Sequence, residues 1–167
     1  MGEAVGETFL AVDSLIRSFT IWRVAPEADI VTPMKLWITE VNSAGTPLVD
    51  RVIFSGPTIT VTNGDRIHPT KIQYAFDPPR PLERGRKYFF AVQERCYFYF
   101  DVLLAAGDAY PDGQAWRTRR TSNSGCVLLP GPDGFPDYDL VFTIEFCRNA
   151  ETPVRPTTWG RLKVIYR

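Results

Sequence analysis

Hydrophobic and polar residues alternate along most of the chain, in short runs that end at turn-forming residues. The cleanest alternation is in residues 139–147 (DLVFTIEFC), and residues 71–76 (KIQYAF) repeat it. Strict alternation over roughly four to eight residues is the pattern of a strand with one face in the core. Residues 14–24 (SLIRSFTIWRV) are apolar on both faces, which predicts a strand covered on two sides.

Further strand-like runs complete an all-β pattern. They are residues 34–41, 48–54, 58–62, 86–94 and 96–104. No segment shows sustained helical spacing with caps. Residues 77–85 (DPPRPLERG) are too rich in proline to predict a regular strand. Eight or more short strands predict a two-sheet antiparallel sandwich or a barrel. Residues 105–137 form a long connection, which is typically functional or carries short structure of its own.

The length of 167 residues fits one domain, and 44% hydrophobic residues predict a globular chain. We divide it into a β-sandwich body, residues 1–147, and a Pro-containing linker with a strand-like basic tail, residues 148–167. The tail carries the apolar residues that we predict to mediate assembly. These are Trp159, Leu162, Val164 and Tyr166.

The charge balance argues against several partners. The chain has 19 basic and 19 acidic residues, so no global field favours nucleic acid or an anionic membrane. No run of apolar residues is long enough for membrane insertion, and no signal-peptide pattern opens the chain. The distribution is uneven, because residues 148–167 hold five basic residues and one acidic residue.

Catalytic motifs are missing, so we do not expect an enzyme. The chain has no H-E-x-x-H, G-x-S-x-G, P-loop or G-x-G-x-x-G motif, and its single histidine, His68, lies beside a proline after a turn. Three strand carboxylates, Glu94, Asp101 and Glu145, could face a cleft as glycosidases require, but solvent-facing positions are the favoured interpretation.

The three cysteines predict a disulfide between Cys96 and Cys126. Closing that loop contributes roughly 3–4 kcal/mol in the chain-entropy model. Two alternatives remain open: three buried free thiols, or Cys147 in place of Cys96 as the partner of Cys126. No C-x-x-C motif is present, so a structural zinc site is not expected.

Four aspartates make a weak candidate for structural calcium, and no other cofactor is expected. They are Asp108, Asp112, Asp137 and Asp139. Carboxylates two residues apart, together with loop carbonyls, can bind Ca²⁺, but the spacing matches no EF-hand. Turn-forming aspartates are the favoured alternative.

Aromatic residues in and around the long connection predict a ligand platform, because tyrosine combines an apolar ring with a polar end. The candidate binding residues are Tyr97, Tyr99, Tyr110, Trp116, Arg117 and Tyr138. For Tyr110 and Trp116 a place in the core is an equal alternative. Trp22 and Trp37 are predicted to be core residues.

Four stretches resemble extracellular jelly-roll domains of bacterial secreted and surface proteins. They are residues 7–24 (ETFLAVDSLIRSFTIWRV), 77–93 (DPPRPLERGRKYFFAVQ), 109–118 (AYPDGQAWRT) and 136–146 (PDYDLVFTIEF). In the second stretch, the residues that match the family's pattern are Pro81, Leu82, Gly85, Tyr88 and Phe90. The resemblance implies a two-sheet antiparallel jelly-roll sandwich, an extracellular or cell-surface location and a non-catalytic role.

These observations together predict a non-catalytic extracellular recognition module that binds carbohydrate. The alternative is a structural subunit of a surface fibre or layer, in which the tail adds a strand to the sheet of a neighbouring protein subunit.

Overall fold

The structure, a computed structural model, describes residues 4–23, 31–62, 68–94, 102–118 and 131–147. Within these ranges the chain forms eleven β-strands and no helix, which confirms the all-β prediction. The strands are β1 (Ala4–Leu10), β2 (Leu15–Arg23), β3 (Val31–Val41), β4 (Pro47–Thr62), β5 (Thr70–Pro81), β6 (Lys87–Glu94), β7 (Leu104–Ala106), β8 (Ala115–Arg117), β9 (Asp133–Phe135), β10 (Tyr138–Leu140) and β11 (Phe142–Phe146).

All strand pairs are antiparallel, and they form three sheets. The largest has six strands in the order β4-β3-β6-β1-β8-β9. A second sheet has the order β11-β2-β5, and β10 pairs with β7 in a two-stranded sheet. The chain passes repeatedly from one sheet to another, since β2, β5 and β11 are separated in sequence by strands of the large sheet.

The six-stranded and three-stranded sheets pack face to face in a sandwich-like arrangement. Phe90 on β6 lies with its ring centroid 3.9 Å from that of Phe19 on β2 and 5.2 Å from that of Phe142 on β11. The alternation that the sequence shows explains this packing. On β11 the buried residues Phe142, Ile144 and Phe146 alternate with Thr143 and Glu145, which are half-buried.

The other face of the six-stranded sheet carries a second apolar cluster, which includes Trp37 and Phe89. Trp37 is buried, as the sequence predicted. Gly6 on β1 makes this cluster possible, because a Cβ at that position would overlap the carbonyl oxygen of Phe90 and crowd the ring of Phe89. The glycine therefore has a packing role in the interior of a strand.

Several strand boundaries differ from the prediction. The runs 48–54 and 58–62 belong to one strand, β4, whereas 139–147 is divided into β10 and β11. Our prediction of no regular strand in 77–85 was wrong for its first part, since β5 continues to Pro81. Because β5 is an edge strand of its sheet, it tolerates prolines that an inner strand would not.

The long connection, residues 105–137, contains short strands. This was one of the two alternatives that the sequence predicted for it. In its described part, β8 and β9 extend the six-stranded sheet beyond β1. Residues 148–167, and with them all four predicted assembly residues, lie outside the described residues.

Candidate functional site

Tyr110, a predicted platform residue, lies in the core of the sandwich. It is buried, and its ring meets the ring of Phe142 edge-on at a centroid distance of 5.4 Å. Its hydroxyl oxygen accepts a hydrogen bond from the backbone N–H of Leu10 at 3.0 Å. Of the two interpretations that the sequence left open, the structure shows the core position.

The other predicted ligand residues do not converge on one surface. Trp116 and Arg117 are neighbours on β8, so their side chains point to opposite faces of the sheet. Trp116 packs against the second apolar cluster, whereas Arg117 lies over the ring of Phe135 at 5.2 Å and near Asp133. Tyr138 is 46% exposed. Tyr97 and Tyr99 lie outside the described residues.

The four aspartates proposed for calcium occupy different environments. Asp108, Asp112 and Asp137 are exposed, but Asp139 is buried. Among the described residues, no group of three or more histidine, cysteine, aspartate or glutamate side chains is arranged to hold a metal ion. The calcium prediction therefore gains no support from the geometry.

Asp139 instead belongs to a buried pair of carboxyl groups with Glu7. Glu7 extends from the inward face of β1 and is fully buried. Its Oε2 accepts a hydrogen bond from the backbone N–H of Leu140 at 2.9 Å. Asp139 Oδ2 accepts one from the N–H of Tyr110 at 2.7 Å, and the two carboxyl groups lie close enough for Asp139 to raise the pKa of Glu7. We call Glu7 and Asp139 the interior carboxyl pair.

A buried carboxyl group beside a second carboxyl group favours its protonated form. Burial raises the pKa of Glu7 to about 9, mainly because water no longer solvates the charged form. The Leu140 N–H opposes this shift, while the negative charges of Asp139 and Asp108 add to it. Glu7 Oε1 is buried and has no hydrogen-bond partner.

The interior carboxyl pair joins three parts of the fold. Glu7 connects β1 to β10 through Leu140, and Asp139 connects β10 to the segment at Tyr110. The Tyr110 hydroxyl then returns to β1 at Leu10. This closed set of contacts fixes β10 and the Tyr110 segment against the large sheet, so we assign it a structural role.

A second polar constellation lies on the outward face of the three-stranded sheet. Its residues alternate with the core residues of the same strands. We call this surface the open polar face, and its members are Ser18, Thr20 and Trp22 on β2, Lys71 and Gln73 on β5, and Thr143 and Glu145 on β11.

A hydrogen-bond chain crosses all three strands of the open polar face. Gln73 Nε2 donates to Ser18 Oγ at 3.3 Å, and Ser18 Oγ donates to Glu145 Oε2 at 2.8 Å. Gln73 and Lys71 are exposed and Glu145 is half-buried, whereas Ser18 and Thr20 at the centre of the face are buried. Trp22 is also half-buried, so the prediction that it is a core residue was wrong. Side chains alternate between the two faces of β2. Phe19 and Ile21 point into the core, so Trp22 points outward.

Sequence reasoning missed both constellations, and only the interior carboxyl pair had a signal in the sequence. Glu7 stands between Val5 and Phe9 in an alternating run, at a position where an apolar residue is expected. An acidic residue there indicates a buried carboxyl group. Ser18 and Gln73 have no individual signal, because only the pairing of β2 with β5 and β11 brings them together.

The predicted disulfide cannot be placed on the fold. Cys96 and Cys126 lie outside the described residues, and Cys147 is a half-buried free thiol. The pairing of Cys96 with Cys126 stays a prediction.

Comparison with known proteins leaves the chain without a family. No protein-family model matches it, and no curated protein or solved structure does. None of the described segments forms a helix with the length and apolar character needed to span a membrane.

Proposed function

We propose that the protein is a non-catalytic recognition module that binds carbohydrate through the open polar face. The single observation that carries this proposal is the hydrogen-bonded chain Gln73–Ser18–Glu145 on the same face as a half-exposed indole, Trp22. The proposal includes a two-sheet jelly-roll topology and an extracellular or cell-surface location, and both are supported by the resemblance of the sequence.

The composition of the face fits the chemistry of a sugar. A pyranose ring presents apolar C–H groups that pack on an aromatic surface such as Trp22. Its hydroxyl groups need both donors and acceptors, which Gln73 and Glu145 provide. Because Gln73, Ser18 and Glu145 already hold one another, few rotamers must be ordered when a ligand binds.

The arrangement of the face also favours binding over catalysis. Glycoside hydrolysis generally requires two carboxyl groups that flank the scissile bond. Among the seven residues of the open polar face, Glu145 has the one carboxylate, and Asp77 on β5 lies beyond Ala75 on the same side of the sheet.

A glycan array with two matched tryptophan variants tests the proposal. Trp22→Ala removes the indole of the open polar face, and Trp116→Ala removes an indole from the opposite side of the sandwich. We expect the wild-type protein to bind a defined set of glycans, Trp22→Ala to lose them, and Trp116→Ala to retain them. Circular dichroism melting should show that both variants are folded.

Two outcomes would overturn the proposal. One is a wild-type protein that binds no glycan on the array or in polysaccharide gels. The other is loss of binding in Trp116→Ala with retention in Trp22→Ala, because the ligand would then lie on the other side of the molecule.

A further inference from the structure

β4 offers an open strand edge. It is sixteen residues long and stands first in the six-stranded sheet. Among the described strands, only β3 pairs with it. The second edge of β4 therefore presents backbone N–H and C=O groups on which another strand can pair.

The final part of β4 is chemically suited to accept a strand. Residues 55–62 (SGPTITVT) contain no charged side chain. Residues 58–62 pair with β3 in regular register, whereas the register shifts elsewhere along β4. Ile59 and Val61 pack toward the core, and the threonines between them are exposed. An uncharged, regular and threonine-rich edge has high β-propensity.

The other described sheet edges carry the features that prevent strand addition. The edge strand β5 contains Lys71, Asp77 and Arg80 together with three prolines. β9 is three residues long, and β11 is five residues long and contains Glu145. Charges, prolines and short length are the devices by which natural proteins protect sheet edges. Residues 58–62 carry no charge and no proline, and they follow Pro57 at the end of a sixteen-residue strand.

Exposed apolar side chains are concentrated on the same hairpin. The described residues include six large hydrophobic side chains that are exposed, and three belong to β3 or β4. Val31, which pairs with Thr62, is 59% exposed, and Val52 and Ile53 on β4 are 41% and 45% exposed. A strand added to β4 would bury part of this apolar surface.

We infer that the β4 edge accepts residues 158–167 of a second copy of this chain. Leu162, Val164 and Tyr166 share one face of an extended segment, and Arg161, Lys163, Ile165 and Arg167 share the other, so one face is apolar and the other is mainly basic. Charge favours the contact, because residues 148–167 have five basic residues and one acidic residue. The remaining chain has fourteen basic and eighteen acidic residues.

The positions of β4 and β11 favour pairing of the β4 edge with the tail of a second copy over pairing with the tail of the same chain. Phe54 on β4 contacts Phe76 on β5 at a centroid distance of 5.0 Å, so these two strands close one side of the sandwich. β11, the last described strand before the tail, is at the opposite edge of the three-stranded sheet. The chain therefore leaves the sandwich on the side away from β4.

Sedimentation velocity on the full chain tests this inference. We expect the wild-type protein to self-associate with increasing concentration. Thr60→Lys places a positive charge on the acceptor edge, where it repels the basic tail, and Val164→Pro removes a backbone donor from the tail. Each should weaken self-association by at least about tenfold. Ser43→Lys adds the same charge in the exposed β3–β4 turn and should have no effect.

Mixing the two variants distinguishes association between copies from pairing within one chain. The Thr60→Lys protein keeps an intact tail, and the Val164→Pro protein keeps an intact β4 edge. An equimolar mixture should therefore form a 1:1 complex. A wild-type protein that is monomeric at all concentrations, self-association that persists in Thr60→Lys, or a mixture that stays monomeric would each overturn the inference. Binding of glycans is measured separately and does not depend on this result.

Discussion

Two glutamates, one inside the core and one on the outer face of the three-stranded sheet, show how the environment of a side chain decides its role. Glu7 points into the interior, where it is fully buried, lies beside Asp139 and accepts a hydrogen bond from the Leu140 N–H. Glu145 points outward from β11, is half-buried and accepts a hydrogen bond from Ser18. Burial favours the protonated form of the interior carboxyl, whose hydrogen bond joins β1 to β10, whereas the outward carboxylate keeps contact with solvent.

The difference follows from the cost of burying charge. A buried carboxylate must be protonated or paired, so its hydrogen bonds become part of the fold. A half-exposed carboxylate keeps part of its hydration, and its interactions contribute little to stability. We therefore expect substitutions of Glu7 to alter stability and substitutions of Glu145 to alter binding.

The largest expected effect is the loss of stability in Glu7→Ala. This variant leaves the Leu140 N–H without its acceptor, opens a cavity and leaves Asp139 without its partner. We expect the free energy of unfolding to fall by about 3–5 kcal/mol. The matched variant Glu145→Ala should lose no more than about 1 kcal/mol. Urea denaturation measures the free energy of unfolding of both variants. Equal losses would contradict the assignment of a structural role to Glu7 and not to Glu145.

A second prediction concerns pH. Burial raises the pKa of Glu7 to about 9 in the folded protein from its ordinary value of 4.5 in the unfolded chain, so the folded state binds more protons between these values. The contribution of Glu7 to stability is therefore complete below about pH 4.5. It decreases as pH rises toward 9, by about 1.4 kcal/mol per pH unit.

Urea denaturation at a series of pH values checks this slope. Glu7→Gln keeps the shape and the hydrogen-bonding capacity of a protonated glutamate, so the slope should disappear. Glu145→Gln should keep the wild-type slope. A Glu7→Gln protein with an unchanged pH dependence would show that Glu7 does not carry the buried proton.

A smaller effect is expected at the tyrosine hydroxyl that completes the interior network. Tyr110→Phe removes the acceptor of the Leu10 N–H and should cost about 1 kcal/mol. Tyr138→Phe, at an exposed tyrosine, should change the free energy of unfolding by less than about 0.5 kcal/mol. Thermal or urea unfolding of the two variants side by side gives the comparison, and a Tyr110→Phe protein as stable as wild type would contradict the network.

The sequence predicted what depends on local periodicity. The alternation in β5 and β11 correctly indicated their core faces, including Ile72, Tyr74, Phe142 and Ile144. The largely apolar run at 14–24 contains β2, the central strand of the three-stranded sheet. These successes share a cause, because side-chain direction in a strand follows from the sequence spacing alone.

The candidate site was less predictable because it depends on pairing between distant strands. Ser18 contacts Glu145 across 127 positions and Gln73 across 55. No local pattern encodes those distances. Tyr110 shows the opposite limit, since an aromatic residue in a polar connection suggested a surface platform, yet the connection turns its ring into the core.

The central claim is that Glu145 belongs to a recognition surface and Glu7 to the framework. The most direct test measures the affinity of Glu145→Ala and Glu7→Gln for the glycan that the wild-type protein binds most tightly on the array. Both variants should be folded at the same temperature and pH. We predict a loss of about tenfold or more for Glu145→Ala and less than about twofold for Glu7→Gln. Unchanged affinity in Glu145→Ala together with reduced affinity in Glu7→Gln would contradict the account.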